Sequence, residues 1–144
     1  MRVAVLNGVN LNVLGRRDPR VYGGITIEEL ESRIYAWGRD LGLSVQCRQT
    51  NSEGEYVKWC HDALDAFDGL VVNPGAWSHY SYAIRDALEL SGLAAVEVHL
   101  SAVDQRDEFR RVSVIRDLCI GCVQGKGADG YREALEMLKE RLIG

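Results

Sequence analysis

Lysine is scarce in this chain, and so is any excess of positive charge. The 144 residues hold only Lys58, Lys126 and Lys139, and 17 basic side chains stand against 21 acidic ones, a formal net charge of −4. That balance excludes the basic footprint of a nucleic-acid binder. Long apolar runs are missing too: stretches such as 69–72 are far shorter than the roughly 20 residues that a membrane span needs. The chain enters a strand-like run at 2–6 with no charged segment followed by a short apolar one, so no secretory signal is expected. Internal repeats, linkers and low-complexity segments are absent. Length, 47% hydrophobic residues and 26% charged ones predict one globular domain over residues 1–144.

Metal and nucleotide signatures are also lacking. His61, His79 and His99 form no local ligand pair, and no H-E-x-x-H, G-x-x-x-x-G-K-[ST] or G-x-S-x-G occurs. Cys119 and Cys122 have the C-x-x-C spacing that redox pairs and half zinc sites share. They fall in an apolar run, 118–123, that reads as a buried strand. Positions three apart on a strand face opposite ways, so the two sulfurs cannot meet there. Four reduced, mostly buried thiols, Cys47, Cys60, Cys119 and Cys122, are expected in a cytoplasmic protein. The cationic side chains other than the three lysines are all arginine, the residue suited to bidentate carboxylate recognition. Codon bias is the expected cause for most of them, and composition alone does not separate it from a functional choice.

What the chain does have is alternation. Strand-like runs at Arg2–Asn7, Ser44–Gln49, Gly69–Asn73, 95–100 and 119–124 are separated by segments with helical spacing. Ile27, Leu30, Ile34, Trp37 and Leu41 form one helical face, with a capping box at Thr26 and Glu29 and a stop at Gly42. Val57, Cys60, Leu64 and Phe67 make a second stripe, Ile84, Ala87, Leu88 and Ser91 a third, and Tyr131, Leu135, Leu138 and Leu142 the last. Five strands alternating with helices predict an α/β fold, a flavodoxin-like three-layer sandwich around a five-stranded parallel sheet. Ligands of such folds sit beyond the carboxyl ends of the strands.

The residues that follow the strands are conspicuous. After strand one, Asn7-Gly8-Val9-Asn10 leads into a long segment with Arg16, Arg17, Asp18, Arg20 and Tyr22, bracketed by Gly15 and Gly23-Gly24. Strand-to-helix loops are usually about 2–6 residues, and longer ones tend to be lids. Loop length alone leaves an active-site lid at about 15–24 and a solvated surface loop equally open. After strand three, Asn73-Pro74-Gly75 makes a fixed turn before His79 and the candidate helix cap Ser81. In strand four, Glu97 and His99 share a face, where a carboxylate can orient an imidazole. Charged residues in an apolar strand are costly unless paired, and a purely structural pair at a strand end stays open. After strand five, Gly125 to Gly130 spell G-x-G-x-x-G. Too little chain remains for a dinucleotide fingerprint, so this reads as a tight turn with close helix–strand packing.

Taken together, these segments resemble type II 3-dehydroquinate dehydratase over nearly the whole chain. The stretch from Leu6 to Asn12 is similar to the family's L-N-G-P-N-L-N, and Gly15-Arg16-Arg17-Asp18-Pro19 through Tyr22-Gly23 to its lid. Gln49-Thr50-Asn51-Ser52-Glu53-Gly54-Glu55 is similar to Q-S-N-H-E-G-E, and Asn73 to His79 to N-P-G-A-Y-T-H. Glu97-Val98-His99-Leu100-Ser101, Arg106-Asp107-Glu108-Phe109-Arg110 and the closing G-x-G-x-x-G-Y complete the series. Val9, Ser52, Trp77, Ala102 and Asp104 depart from the pattern.

The resemblance implies a hydro-lyase that interconverts 3-dehydroquinate with 3-dehydroshikimate and water through an enolate, without metal or cofactor. The reaction belongs to the shikimate pathway of aromatic amino acid biosynthesis or to quinate breakdown. It implies a cytoplasmic homo-oligomer, a dodecamer built of trimers, with a small-molecule substrate and neither nucleic acid nor membrane as partner. Tyr22 would be the general base; a free phenol titrates at about 10, and Arg17 would supply the cation such a base needs. Asn10 would hold a water that stabilises the enolate. His99 would protonate the departing hydroxyl, with Glu97 orienting it. Asn73, His79, Leu100, Ser101, Arg106 and Arg110 would bind the substrate, and Asp86 would act on a neighbouring subunit's site. A Schiff-base route is not expected, because no lysine lies in a candidate strand. A flavodoxin-like binding module or a dead paralogue would give Tyr22, Arg17 and His99 no special role.

Overall fold

The computed structural model describes residues 1–143. Five strands, β1 (Arg2–Asn7), β2 (Ser44–Gln49), β3 (Gly69–Asn73), β4 (Ala94–His99) and β5 (Gly121–Gln124), form one parallel sheet in the order β2-β1-β3-β4-β5. The order reverses beside β1 and β3, the position where an open α/β sheet offers a crevice. Helices α2 (Ile27–Asp40) and α5 (Asp129–Ile143) cover one face, and α3 (Glu53–Ala66) and α4 (Tyr82–Ser91) the other.

Side-chain alternation divides the strands between two cores. Val3, Val5, Val71 and Val98 pack with Leu30, Ile34, Tyr131, Leu135 and Leu138. Ala4, Leu6, Leu70 and Val72 pack with Tyr56, Cys60, Ile84, Ala87 and Leu88 on the opposite side. Three of the helices that cover the sheet start on side-chain caps: Thr26, Ser52 and Ser81 accept hydrogen bonds from the backbone N–H groups of Glu29, Glu55 and Ile84.

The structure corrects several expected boundaries. β4 starts and ends one residue early, so Leu100 lies just past the strand. β5 starts only at Gly121, because a 3₁₀ turn at Arg116–Leu118 carries the chain to Cys119. Cys119 is therefore off the strand, and the strand-face argument does not apply to the C-x-x-C pair. All four cysteines are nonetheless free thiols, and only Cys60 is fully buried. The α3 stripe is phased differently. Leu64 is 57% exposed, while Tyr56, Cys60 and Ala63 face the sheet. The Tyr56 hydroxyl donates to the Leu6 carbonyl at 2.9 Å, which ties that rotation of the helix to β1.

The long segment after β1 is not irregular throughout. It contains a 3₁₀ helix, Leu11–Arg16, and one helical turn, α1 (Pro19–Tyr22), capped by Asp18. Two glycines let the β1 and β3 loops touch. A Cβ on Gly8 would lie 2.3 Å from the Pro74 carbonyl oxygen, and one on Gly75, at φ 68°, would lie 2.7 Å from that of Val9. This contact forms one wall of the crevice at the carboxyl ends of the strands.

Candidate active site

One pocket opens at that end of the sheet. Asn10, Arg17, Tyr22, Asn73, His79, His99, Leu100, Ser101, Arg106 and Arg110 all line it. They come from the ends of β1, β3 and β4 and from the segments that follow, so residues far apart in sequence converge because their strands are adjacent and parallel.

Tyr22 is carried in by α1 and is 8% exposed. Its phenol oxygen accepts hydrogen bonds from Arg17 Nη2 and, at 2.8 Å, from Arg106 Nη1. The Arg17 guanidinium also lies over the Tyr22 ring, 3.9 Å from its centroid. Arg106 Nη1 donates as well to Ser101 Oγ at 3.2 Å. The cation expected beside Tyr22 is thus a pair. Burial lowers the pKa of Arg17, nearby Arg106 and Arg110 push it the same way, and Tyr22 opposes them. Arg110 Nε is buried without a hydrogen-bond partner. Three guanidiniums crowded together call for an anionic ligand.

His99 and Glu97 pair as their strand alternation predicts. His99 Nε2 lies 2.6 Å from Glu97 Oε2, and Glu97 has no exposed surface. Burial pushes the Glu97 carboxyl up, but hydrogen bonds from His99, Arg116 and Ser113 outweigh it and hold the group below the usual carboxylate range. The Ser113 hydroxyl donates to Oε2 at 2.8 Å and Arg116 Nε to Oε1 at 3.1 Å. Neither residue stood out in the sequence. The signal that points to them is physical: a carboxylate inside an apolar strand needs more than one donor.

His79 stacks on His99 with ring centroids 6.4 Å apart. Its Nδ1 donates to the Val112 carbonyl at 2.7 Å. Burial lowers its pKa, the hydrogen bond to Val112 opposes that, and Arg110 adds to the lowering. The ring is therefore neutral at neutral pH, with Nε2 an acceptor for a ligand hydroxyl. Asn10 sits in the left-handed region at φ 70°, and its backbone N–H donates to Asn51 Oδ1 at 2.9 Å. Gln49 Nε2 donates to the same Asn51 oxygen and to the Gly8 carbonyl, so the 49–51 segment braces the Asn10 turn.

Asn73 is 2% exposed, donating to the Tyr131 hydroxyl at 2.8 Å and accepting from the Gly75 N–H at 3.2 Å. The second amide proton of Asn73 is what remains for a ligand. Behind it, the Tyr131 hydroxyl donates to Asn7 Oδ1 at 2.7 Å. The G-x-G-x-x-G segment acts as the turn expected of it. Gly125 and Gly127 donate their N–H groups to the carbonyls of Ser101 and Leu100, and so hold the end of β4 rather than a phosphate.

Asp86 is not brought to the pocket of its own chain; it lies exposed on α4, next to Arg85, which pairs with Asp117. No lysine lines the pocket. No group of three or more metal-ligating side chains occurs among the described residues. The arrangement therefore suits acid–base chemistry on a small anion: an oxygen flanked by cations to take a proton, and an imidazole backed by a carboxylate to give one.

Comparison with known proteins agrees with this geometry. The family model described as dehydroquinase class II matches residues 1–139. The chain is similar to a 3-dehydroquinate dehydratase of Deinococcus radiodurans, 53% identical over 139 residues, with 96% of this chain and 97% of that protein covered. It is 51% identical over 142 residues to one of Thermotoga maritima, covering 99% and 97% of the two chains. The crystal structure of a type II dehydroquinase from Butyrivibrio crossotus superimposes with a TM-score of 0.92 at 43% identity, covering 96% and 97%. With the fold, the pocket and these matches in agreement, the chain belongs to the class II dehydroquinase family.

Proposed function

We propose that this protein is a 3-dehydroquinate dehydratase that eliminates water from 3-dehydroquinate to give 3-dehydroshikimate, and runs the reverse reaction at the same site. The observation that carries the reading is the Tyr22 oxygen between Arg17 and Arg106, in one pocket with the His99–Glu97 pair. As phenolate, Tyr22 takes the proton from the carbon next to the ketone. Negative charge moves onto the ketone oxygen, where a water held by Asn10 stabilises the enolate. His99 gives a proton to the departing hydroxyl, which leaves as water while the double bond forms. Glu97 keeps the imidazole oriented. Arg106, Arg110, Ser101, Asn73 and His79, with backbone N–H groups near Ser101, hold the carboxylate and hydroxyls, and Leu100 forms an apolar part of the wall. The balanced reaction needs no electron or group carrier, so the protein supplies every participant.

The segment from Gly15 to Gly24 acts as the lid in this reading. It carries Arg17 and Tyr22 and ends in two glycines at φ 86° and 68°. Addition of a substrate-like anion should protect Arg17 and Arg20 from tryptic cleavage. Cleavage that is equally slow with and without ligand would show that the segment does not move.

The working form in this reading is a cytoplasmic dodecamer built of trimers, with Asp86 reaching a neighbour's pocket. The support is a stripe on α4. Tyr82, Asp86 and Leu90 recur at four-residue spacing and are all exposed, Tyr82 at 68% and Leu90 at 71%. Mixing Asp86→Ala with Tyr22→Phe chains under proven subunit exchange should restore activity that neither variant has alone. A fully active single chain in sedimentation rules the shared site out.

The base itself is tested by Tyr22→Phe, which keeps the ring and its packing. General-base removal typically costs about 10²–10⁴-fold in rate. The loss should fall on kcat with KM nearly unchanged, because the phenol acts in the transition state. Retention of more than about a tenth of kcat would assign the proton to another group.

A further inference from the structure

Resting on the reading of His99 as the general acid, we propose that Arg116 is a positioning residue for the reaction, holding the Glu97 carboxylate ionised and oriented so that Glu97 can hold His99. Arg116 does not line the pocket, so it touches no substrate. Its Nε donates to Glu97 Oε1 at 3.1 Å, while Glu97 Oε2 is left to His99 at 2.6 Å and Ser113 at 2.8 Å. The two carboxylate oxygens are thereby divided between a fixed cation and the imidazole.

The other end of Arg116 is also held. Its Nη1 donates to both Asp104 oxygens at 3.2 Å. Asp104 accepts from Gln124 Nε2 at 2.9 Å and donates its own N–H to Gln124 Oε1 at 3.0 Å. A polar line thus runs from Gln124 on β5 through Asp104 and Arg116 to Glu97 and His99 on β4. Four separate chain segments meet in it, and none of its outer members belongs to the pocket wall.

A buried carboxylate that loses a fixed cation is costly and takes up a proton instead. The charged and titratable groups around Glu97 set the sign. His99, with His79 stacked on it, Arg116 and Asp104 are the titratable and charged side chains that surround it. The thiols of Cys119 and Cys122 are pushed up by burial to about 12 and about 11, and burial raises Tyr56 well above the usual phenol. Those three stay neutral at working pH. Asp104 opposes the charge on Glu97 but is itself bound by Arg116. With Arg116 removed, burial and Asp104 both push the Glu97 carboxyl up. Glu97 is then protonated at a higher pH, and the acidic limb of kcat/KM moves up.

The test is kcat, KM and the pH profile of kcat/KM for 3-dehydroquinate in the parent protein, Arg116→Met, Arg116→Lys and Asp104→Asn. A parent protein without turnover would fail the proposed reaction itself, separately from this inference. With an active parent, Arg116→Met should lose about ten- to a hundredfold in kcat, part of what a general acid supplies. KM should stay within about twofold, and the acidic limb should rise by about one pH unit. Arg116→Lys keeps the cation and should recover most of the rate and the limb. Asp104→Asn keeps the guanidinium and removes an anion that opposes the charge on Glu97, so its acidic limb should not rise above the parent's. Asp104 is exposed, so this variant and Arg116→Lys carry the test if Arg116→Met does not fold. A folded Arg116→Met with the parent's profile, an Arg116→Lys that loses rate and shifts its limb as Arg116→Met is expected to, or an acidic limb that rises in Asp104→Asn would make Arg116 merely structural.

Discussion

Glu97 carries its charge with no exposed surface at the carboxyl end of a central strand. Left alone there, a carboxylate would cost several kcal/mol or pick up a proton. It stays ionised because donors reach it from three sides: an imidazole on its own strand, and a hydroxyl and a guanidinium from the segment before β5. The long connection from β4 to β5 is shaped by this demand. Its 3₁₀ turns bring Asp104, Ser113 and Arg116 over the strand end, and it also delivers Arg106 and Arg110 to the pocket.

The other half of the site meets the opposite requirement. Arg17 and Arg106 donate to one phenol oxygen, and Arg110 is near enough to act on Arg17. The pocket is thus asymmetric: cations flank the Tyr22 oxygen, and a carboxylate backs the His99 imidazole. The scaffold keeps the halves in register. Tyr131 links Asn7 and Asn73 at the ends of β1 and β3, and the glycine turn after β5 holds the carbonyls of Leu100 and Ser101.

Much of this was legible in the sequence where local periodicity carries the information. β1 and β3 were readable to the residue because apolar runs end on Asn7 and Asn73. The Glu97–His99 pair was readable because alternation along one strand fixes which side chains share a face. Where tertiary contacts decide, the pattern misled. Cys119 and Ile120 look like strand, yet the turn set by the Arg116 segment leaves them outside β5. Leu64 fits the helical stripe, but a hydrogen bond from Tyr56 to β1 phases α3 differently. Arg116 lies 19 residues from Glu97, and only the folded chain shows that they meet. The resemblance named Arg106 as a substrate-binding residue, whereas its contact with Tyr22 spans 84 positions and required the structure.

In the proposed reaction this pocket dehydrates its substrate with its own side chains. The most direct measurement is the ultraviolet absorbance of the conjugated enone product when purified protein is mixed with 3-dehydroquinate. It should be run with a metal chelator, and again after treatment with borohydride in the presence of substrate. Catalytic formation of the enone should survive both treatments, because none of Lys58, Lys126 and Lys139 lines the pocket to form a Schiff base. No enone, or activity lost to the chelator or to borohydride, would contradict the proposed reaction.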